Sequence, residues 1–150
     1  MVVIYYAKIT NCTIKNIRGP AGSYNGRGIT FLSGLANTVD QCDFSNIFRI
    51  GVHVRGGYGA TLPVATITDC TYTGKGTGDW LDYAVEVGGG PQATISNNTI
   101  SNNLGVASSD GSNSAGILVT TYFGAGSAAA VACARRVQFR LICATPVRQA

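Results

Sequence analysis

The stretch Ile9-Thr10-Asn11-Cys12-Thr13-Ile14-Lys15-Asn16-Ile17 returns three more times along the chain. It reappears as Val39-Asp40-Gln41-Cys42-Asp43-Phe44-Ser45-Asn46-Ile47, as Ile67-Thr68-Asp69-Cys70-Thr71-Tyr72-Thr73-Gly74-Lys75, and as Ile95-Ser96-Asn97-Asn98-Thr99-Ile100-Ser101-Asn102-Asn103. The copies align without gaps at spacings of 30, 28 and 28 residues. Each column keeps its chemistry: Ile or Val first, Cys, Cys, Cys, Asn fourth, Ile, Phe, Tyr, Ile sixth, and Asn, Asn, Gly, Asn eighth. Repetition at a fixed period of this length is the mark of a solenoid.

The phase inside the repeat sets its shape. Ile9 is odd-numbered, whereas Cys12 and Ile14 are even, so one straight strand would point Ile9 and Ile14 to opposite faces. A sharp bend at the polar third position (Asn11, Gln41, Asp69, Asn97) lets both point inward. A second block follows each copy: Gly28-Ile29-Thr30-Phe31, Gly51-Val52-His53-Val54, Ala84-Val85-Glu86-Val87 and Gly116-Ile117-Leu118-Val119. Its alternation is the period of a strand with one buried face. Each unit thus holds two short strands around a corner, then a third after a variable loop. Three strands per coil, stacked coil on coil, make an all-β parallel β-helix of about four to five coils. Identical positions then sit about 4.8 Å apart, so like residues stack. Asn16, Asn46 and Asn102 form an amide ladder at the second corner, with Gly74 a gap. The competing architecture is a β-sandwich of strands alike by chance, and the column-specific chemistry argues against it.

This pattern, I-x-x-N/C-T-I-x-N followed by G-I-x-V, resembles the repeats of right-handed parallel β-helix proteins of the pectate-lyase type, over about residues 7 to 123. The resemblance implies carbohydrate-facing roles: polysaccharide lyases, hydrolases and epimerases, phage tailspikes, and bacterial surface proteins without known activity.

Composition agrees with the fold. Charged residues make up 12% of the 150-residue chain, hydrophobic residues 45%, and glycine occurs 20 times. That mix disfavours helical bundles and favours a turn-rich β chain. No apolar run approaches the roughly 18 residues of a membrane helix, and the start has no basic leader followed by a full apolar core, so no signal peptide is read there. A secreted or cell-surface setting is what the resemblance implies.

The net charge is +4, with Arg135, Arg136, Arg140 and Arg148 concentrated near the end. Without them the body is neutral, which excludes a nucleic-acid binder with a large basic face. Residues 1–126 read as the β-helix and residues 127–150 as an irregular basic tail, a cap or a partial last coil. In that tail Val131 and Cys133 suit a fifth coil, and Val137, Phe139 and Leu141 alternate like a strand. The rivals are an Ala-rich helical cap at 128–138 and a tail foreign to the repeats. No capping helix precedes Ile9, and Val2 to Tyr6 finishes a preceding coil or lies across the end. Uncapped coils allow end-to-end self-association.

Of five cysteines, Cys12, Cys42 and Cys70 share one inward column and pack as small hydrophobes. A disulfide across coils is the alternative. With a single histidine and no C-x-x-C, no metal site is expected.

Chemistry, if any, belongs on the outer face of the third strand. Val52 and Val54 point in, so His53 and Arg55 point out, and Glu86 holds the column of His53 one coil on. Thr30 and Leu118 flank them. Asp79, Trp80, Asp82 and Tyr83 lie on the preceding long loop. Imidazole, carboxylate, guanidinium and an aromatic platform could bind a sugar or perform acid–base work. The alternative is an ion pair on a solvated sheet beside a half-buried tryptophan. A glycosidase needs two opposed carboxylates, and Asp79 and Asp82 have no supporting motif. The N-T-D and G-H-G patterns of polygalacturonases are missing. Calcium is the one cofactor to consider, but Asp40, Asp43 and Asp69 fall on different corners. Two functions follow. The first is a non-catalytic scaffold or glycan-binding module of a secreted or surface bacterial protein, with polysaccharide as partner and no nucleic-acid binding or membrane insertion. The second is a carbohydrate-active enzyme, or a fragment of one, using His53, Glu86 and Arg55. Four coils span only about 20 Å, short for a polysaccharide groove.

Overall fold

A computed structural model of the chain describes residues 6–20, 25–57, 61–121, 130–134 and 141–143, the last two segments by their backbone course alone. The first coil comprises β1 (Lys8–Thr10), β2 (Thr13–Ile17) and β3 (Arg27–Phe31). The second comprises β4 (Asn37–Asp40), β5 (Asp43–Ile47) and β6 (Ile50–Arg55). The third comprises β7 (Val64–Thr68), β8 (Thr71–Gly76) and β9 (Tyr83–Gly88), and the fourth β10 (Gln92–Ser96), β11 (Thr99–Asn103) and β12 (Ala115–Thr120). Strands β13 (Ala130–Ala134) and β14 (Leu141–Cys143) follow. They stack into three sheets, ordered β1-β4-β7-β10-β13, β2-β5-β8-β11 and β3-β6-β9-β12-β14, with every strand pair parallel. The architecture is an all-β parallel solenoid, as the repeat implies.

The bend inside the repeat is a left-handed residue. Asn11, Gln41, Asp69 and Asn97 have φ of 53°, 52°, 52° and 54°. Asn and Asp tolerate this region because their short side chains bond locally. One such residue turns the chain from the first sheet to the second, and the first, fourth and sixth columns all face the core: Val39, Cys42 and Phe44 are buried in the second coil and Ile67, Cys70 and Tyr72 in the third. The second corner uses the same device at Asn16, Asn46 and Asn102, with φ of 59°, 51° and 61°. Asn46 Nδ2 donates to Asn16 Oδ1 at 2.9 Å, so the ladder exists at that rung, but both side chains are exposed.

Gly74 interrupts the ladder because the third coil is crowded there. A Cβ at Gly74 would lie 2.5 Å from the Asn102 carbonyl oxygen and 2.7 Å from Asp82 Oδ2. This coil turns instead two residues later, at Gly76 with φ 81°.

The fourth column does more than fill space. Asn98, buried, accepts from the Cys70 N–H at 2.9 Å and donates to the Ile67 carbonyl at 2.9 Å. Cys70 Sγ in turn accepts from the Cys42 N–H at 3.5 Å. Each of these side chains reaches back one coil to a backbone group that the corner has removed from the sheet ladder, which would otherwise be buried unpaired. Cys12, Cys42 and Cys70 are free thiols, Cys12 exposed and the other two buried. At the third corner Asn37, also buried, plays the same part, accepting from the Ala7 N–H and donating toward the carbonyls of Ser33, Gly34 and Val64.

In the tail, β13 pairs with β10, Val131 opposite Ala93 and Cys133 opposite Ile95, and β14 pairs with β12. Residues 130–134 are therefore strand, not part of an Ala-rich helix. The expectations for Val2 to Tyr5, Val137, Phe139 and the four tail arginines lie outside the described residues.

Candidate functional site

The loop between the second and third strands varies most: 18–26, 48–49, 77–82 and 104–114 in successive coils. The third sheet nevertheless stays in register, aligning Thr30, His53, Glu86 and Leu118 in one outward column. Small residues at the start of the third strand allow the turn. A Cβ on Gly51 would lie 2.6 Å from the Ala84 carbonyl oxygen and 2.7 Å from the Tyr72 ring.

His53 and Glu86 are neighbours, Nε2 to Oε1 at 3.7 Å, beyond direct hydrogen-bond reach. The face around them is not solvated, contrary to the surface ion pair weighed from sequence: His53 is 0% exposed and Glu86 5%. Ile50, Tyr83 and Ala115 form a small apolar cluster on this outer side, with Leu81 and Leu118 against it. Burial, then the positive charges of Arg27 and Arg55, lower the pKa of His53 to about 3, so the imidazole is neutral at physiological pH. Burial raises the Glu86 carboxyl, and Arg49, Arg27 and Arg55 counter that rise. Arg55 belongs to this cluster as expected. Arg27 and Arg49 were missed, although Arg27 sits in register with Ile50 and Tyr83 and Arg49 directly precedes Ile50.

Tyr83 begins β9 and packs beside the dyad, whereas Asp79, Trp80 and Asp82 do not join it. Trp80 is half-buried, its ring wedged against Gly78 and Gly105 with Lys75 Nζ 5.0 Å from the ring centre. Lys75 Nζ donates to the Phe48 carbonyl at 2.7 Å. Asp82 is fully buried, and its Oδ2 accepts from the Lys75 N–H at 2.8 Å. The Asp82 N–H donates to Ser114 Oγ at 2.9 Å. Asp79 is exposed and accepts from the Ser108 N–H at 2.7 Å and Ser108 Oγ at 2.5 Å, bonds that hold its carboxyl below the usual range. Tyr83 is buried, which is the main reason its phenol is raised to about 12. These side chains fasten the loop 77–82 to the loop 104–114 and to the coil below. Among the described residues, clefts of about 340 and 360 Å³ lie at the fourth and first coils, and neither is lined by His53, Glu86 or Trp80. Among the described residues no three His, Cys, Asp or Glu side chains are placed to share a metal ion.

Comparison with known families settles the class. The family model described as "right handed beta helix region" matches residues 4–137, most of the chain. The chain belongs to the right-handed β-helix family. No curated protein and no solved structure matches this β-helix. The match carries the coil through β13.

Proposed function

We propose that this chain is a non-catalytic β-helix scaffold that presents a glycan-binding surface on the loops of one side, in keeping with the secreted or surface bacterial setting its repeat pattern suggests. The observation that carries this reading is the burial of His53. A general acid or base must reach the proton it transfers, and a fully covered, neutral imidazole cannot touch a polymer outside. Trp80 is half-buried and wedged against Gly78 and Gly105, a position that makes it a fastener of the loops. The binding surface in this reading is the loop pair 77–82 and 104–114. Asp79 ties the two together, and the second exposes Leu104 and Val106 beside the hydroxyls and amides of Ser108, Ser109 and Asn113. A rigid scaffold carrying ordered loops is the usual arrangement for recognition.

The test screens acidic and neutral polysaccharides for binding and for depolymerisation. Binding without turnover is expected, weakened by Asp79→Ala and by substitutions at Ser108 and Asn113. Trp80→Ala should lower the melting temperature. Depolymerisation by the wild type that vanishes in a His53→Ala, Glu86→Gln double variant would overturn the proposal in favour of an enzyme.

A further inference from the structure

The first corner stacks three thiols. Cys12, Cys42 and Cys70 precede Thr13, Asp43 and Thr71, which pair with one another from coil to coil. The three side chains take the same posture. Each Sγ donates to the carbonyl two residues before it, of Thr10, Asp40 and Thr68, at 3.2, 3.3 and 3.1 Å. Cys42 and Cys70 also reach one coil back, to the carbonyls of Ile9 and Val39, at 3.6 and 3.8 Å. Equivalent postures on equivalent backbones place the sulfurs one above another, so neighbouring sulfurs are separated by the strand spacing, about 4.8 Å.

That gap selects among the things two thiols can share. A disulfide bond of about 2.05 Å spans less than half of it, so bridging requires both side chains to leave their posture. A tetrahedral ion such as zinc needs four ligands, and among the described residues no three His, Cys, Asp or Glu side chains come together. A linear, two-coordinate ion fits. Two metal–sulfur bonds of about 2.3 Å, placed end to end, nearly fill the gap. Cuprous copper adopts this geometry with sulfur, and soft thiolates select it over harder ions. The single histidine and the lack of C-x-x-C argue against a four-ligand site but do not bear on two ligands supplied by neighbouring coils.

The gap between Cys42 and Cys70 has the first coil on one side and the fourth on the other. Cys42 is 0% and Cys70 5% exposed, in a core shared with Val39, Phe44, Ile67 and Tyr72, so water does not compete for the metal. The Cys42 N–H already points at Cys70 Sγ, at 3.5 Å, and a donor so placed favours a thiolate. Asn98 holds the other side of Cys70 by accepting its N–H at 2.9 Å.

We propose that Cys42 and Cys70 bind one cuprous ion between their sulfurs, a linear bis-thiolate clamp that joins the second coil to the third. Each thiol gives up its proton to solvent as its sulfur bonds the metal, so two protons leave per ion and no oxidation state changes. The complex carries one negative charge, which the Cys42 N–H faces. The clamp is independent of what the loop pair binds.

The experiment uses the full chain with Cys12→Ser, Cys133→Ser and Cys143→Ser, which leaves only the proposed pair, titrated with Cu⁺ without oxygen and, separately, with Zn²⁺. One Cu⁺ should stay bound per chain after desalting. X-ray absorption at the copper edge should show two sulfur neighbours and no others, and the melting temperature should rise with copper, because the ion binds the folded state. Zn²⁺ should neither be retained nor shift the transition. Adding Cys42→Ala or Cys70→Ala to this background should abolish both retention and the thermal shift. If those variants lose their β-sheet circular dichroism, the absorption spectrum of the background protein decides alone. No retained copper, more than one ion per chain, a third ligand or a nitrogen or oxygen neighbour, undiminished retention in the folded alanine variants, or equal retention of zinc would each overturn the proposal.

Discussion

A single left-handed residue, most often asparagine, decides the direction of the chain at the first and second corners of each coil. For Asn46 the side chain contributes one exposed bond to Asn16, and its tolerance of φ 51° is the larger part of its role. An alanine forced into this region costs about 1–2 kcal/mol, and glycine avoids the penalty. Asn46→Ala should therefore lower stability in urea unfolding by about that amount, while Asn46→Gly stays close to wild type; equal losses would mean the amide, not the backbone, is what matters. His53 gives a second test at this scale. Its folded pKa, about 3, lies below the ordinary 6.5, so the unfolded chain takes up a proton that the folded one refuses. Stability attributable to His53 is full above about pH 6.5 and drains away as pH falls toward 3. Glu86 acts in the opposite sense, since its raised carboxyl is protonated earlier in the folded state. The melting temperature of His53→Gln should fall less than that of the wild type between pH 6.5 and 4, and that of Glu86→Gln should fall more.

At the level of elements, sequence period and structure agree wherever backbone geometry repeats. The polar third column marked each first corner, and the alternation around Val52 and Val85 placed His53 beside Glu86. What the columns could not convey was the environment on the outer side. Alternation distinguishes inward from outward, but outward is not the same as solvated when Ile50, Tyr83 and Leu81 build an apolar layer there. The exposed asparagine ladder and the bonding role of Asn98 were hidden for a related reason: a residue's column reveals its direction, not whether its amide meets water or a stranded N–H. The absence of an asparagine at Gly74 had a cause in another element, the Asp82 carboxylate brought in by the long loop. Packing between elements also explains the small column at the head of the third strand. Gly51→Ala places a methyl against the Ala84 carbonyl and the Tyr72 ring and should cost about 1–3 kcal/mol. Differential scanning calorimetry of the variant would expose an error if the transition did not move.

For the molecule as a whole, each coil contacts its neighbours above and below, so stability is close to a sum of coil and interface terms. Removing residues 69–96 joins Thr68 to Asn97 in the register that Asp69 holds, and should leave a shorter solenoid that retains its β-sheet circular dichroism and melts cooperatively at a lower temperature. Removing residues 69–95 instead shifts the phase by one and turns every inward side chain of the following strand outward, and that chain should be digested rapidly by a non-specific protease. Similar behaviour of the two deletions would show that the corner does not fix the phase. The two-residue corner between the first and second sheets is the same length in all four coils, Asn11-Cys12, Gln41-Cys42, Asp69-Cys70 and Asn97-Asn98, while the loop before the third strand ranges from two residues to eleven. A gene of this kind can therefore change in two separable ways: by whole-coil duplications, which alter the number of rungs, and by small insertions confined to one stretch of each repeat, which alter what the rungs display. Heritable variation in size and heritable variation in surface are thereby uncoupled.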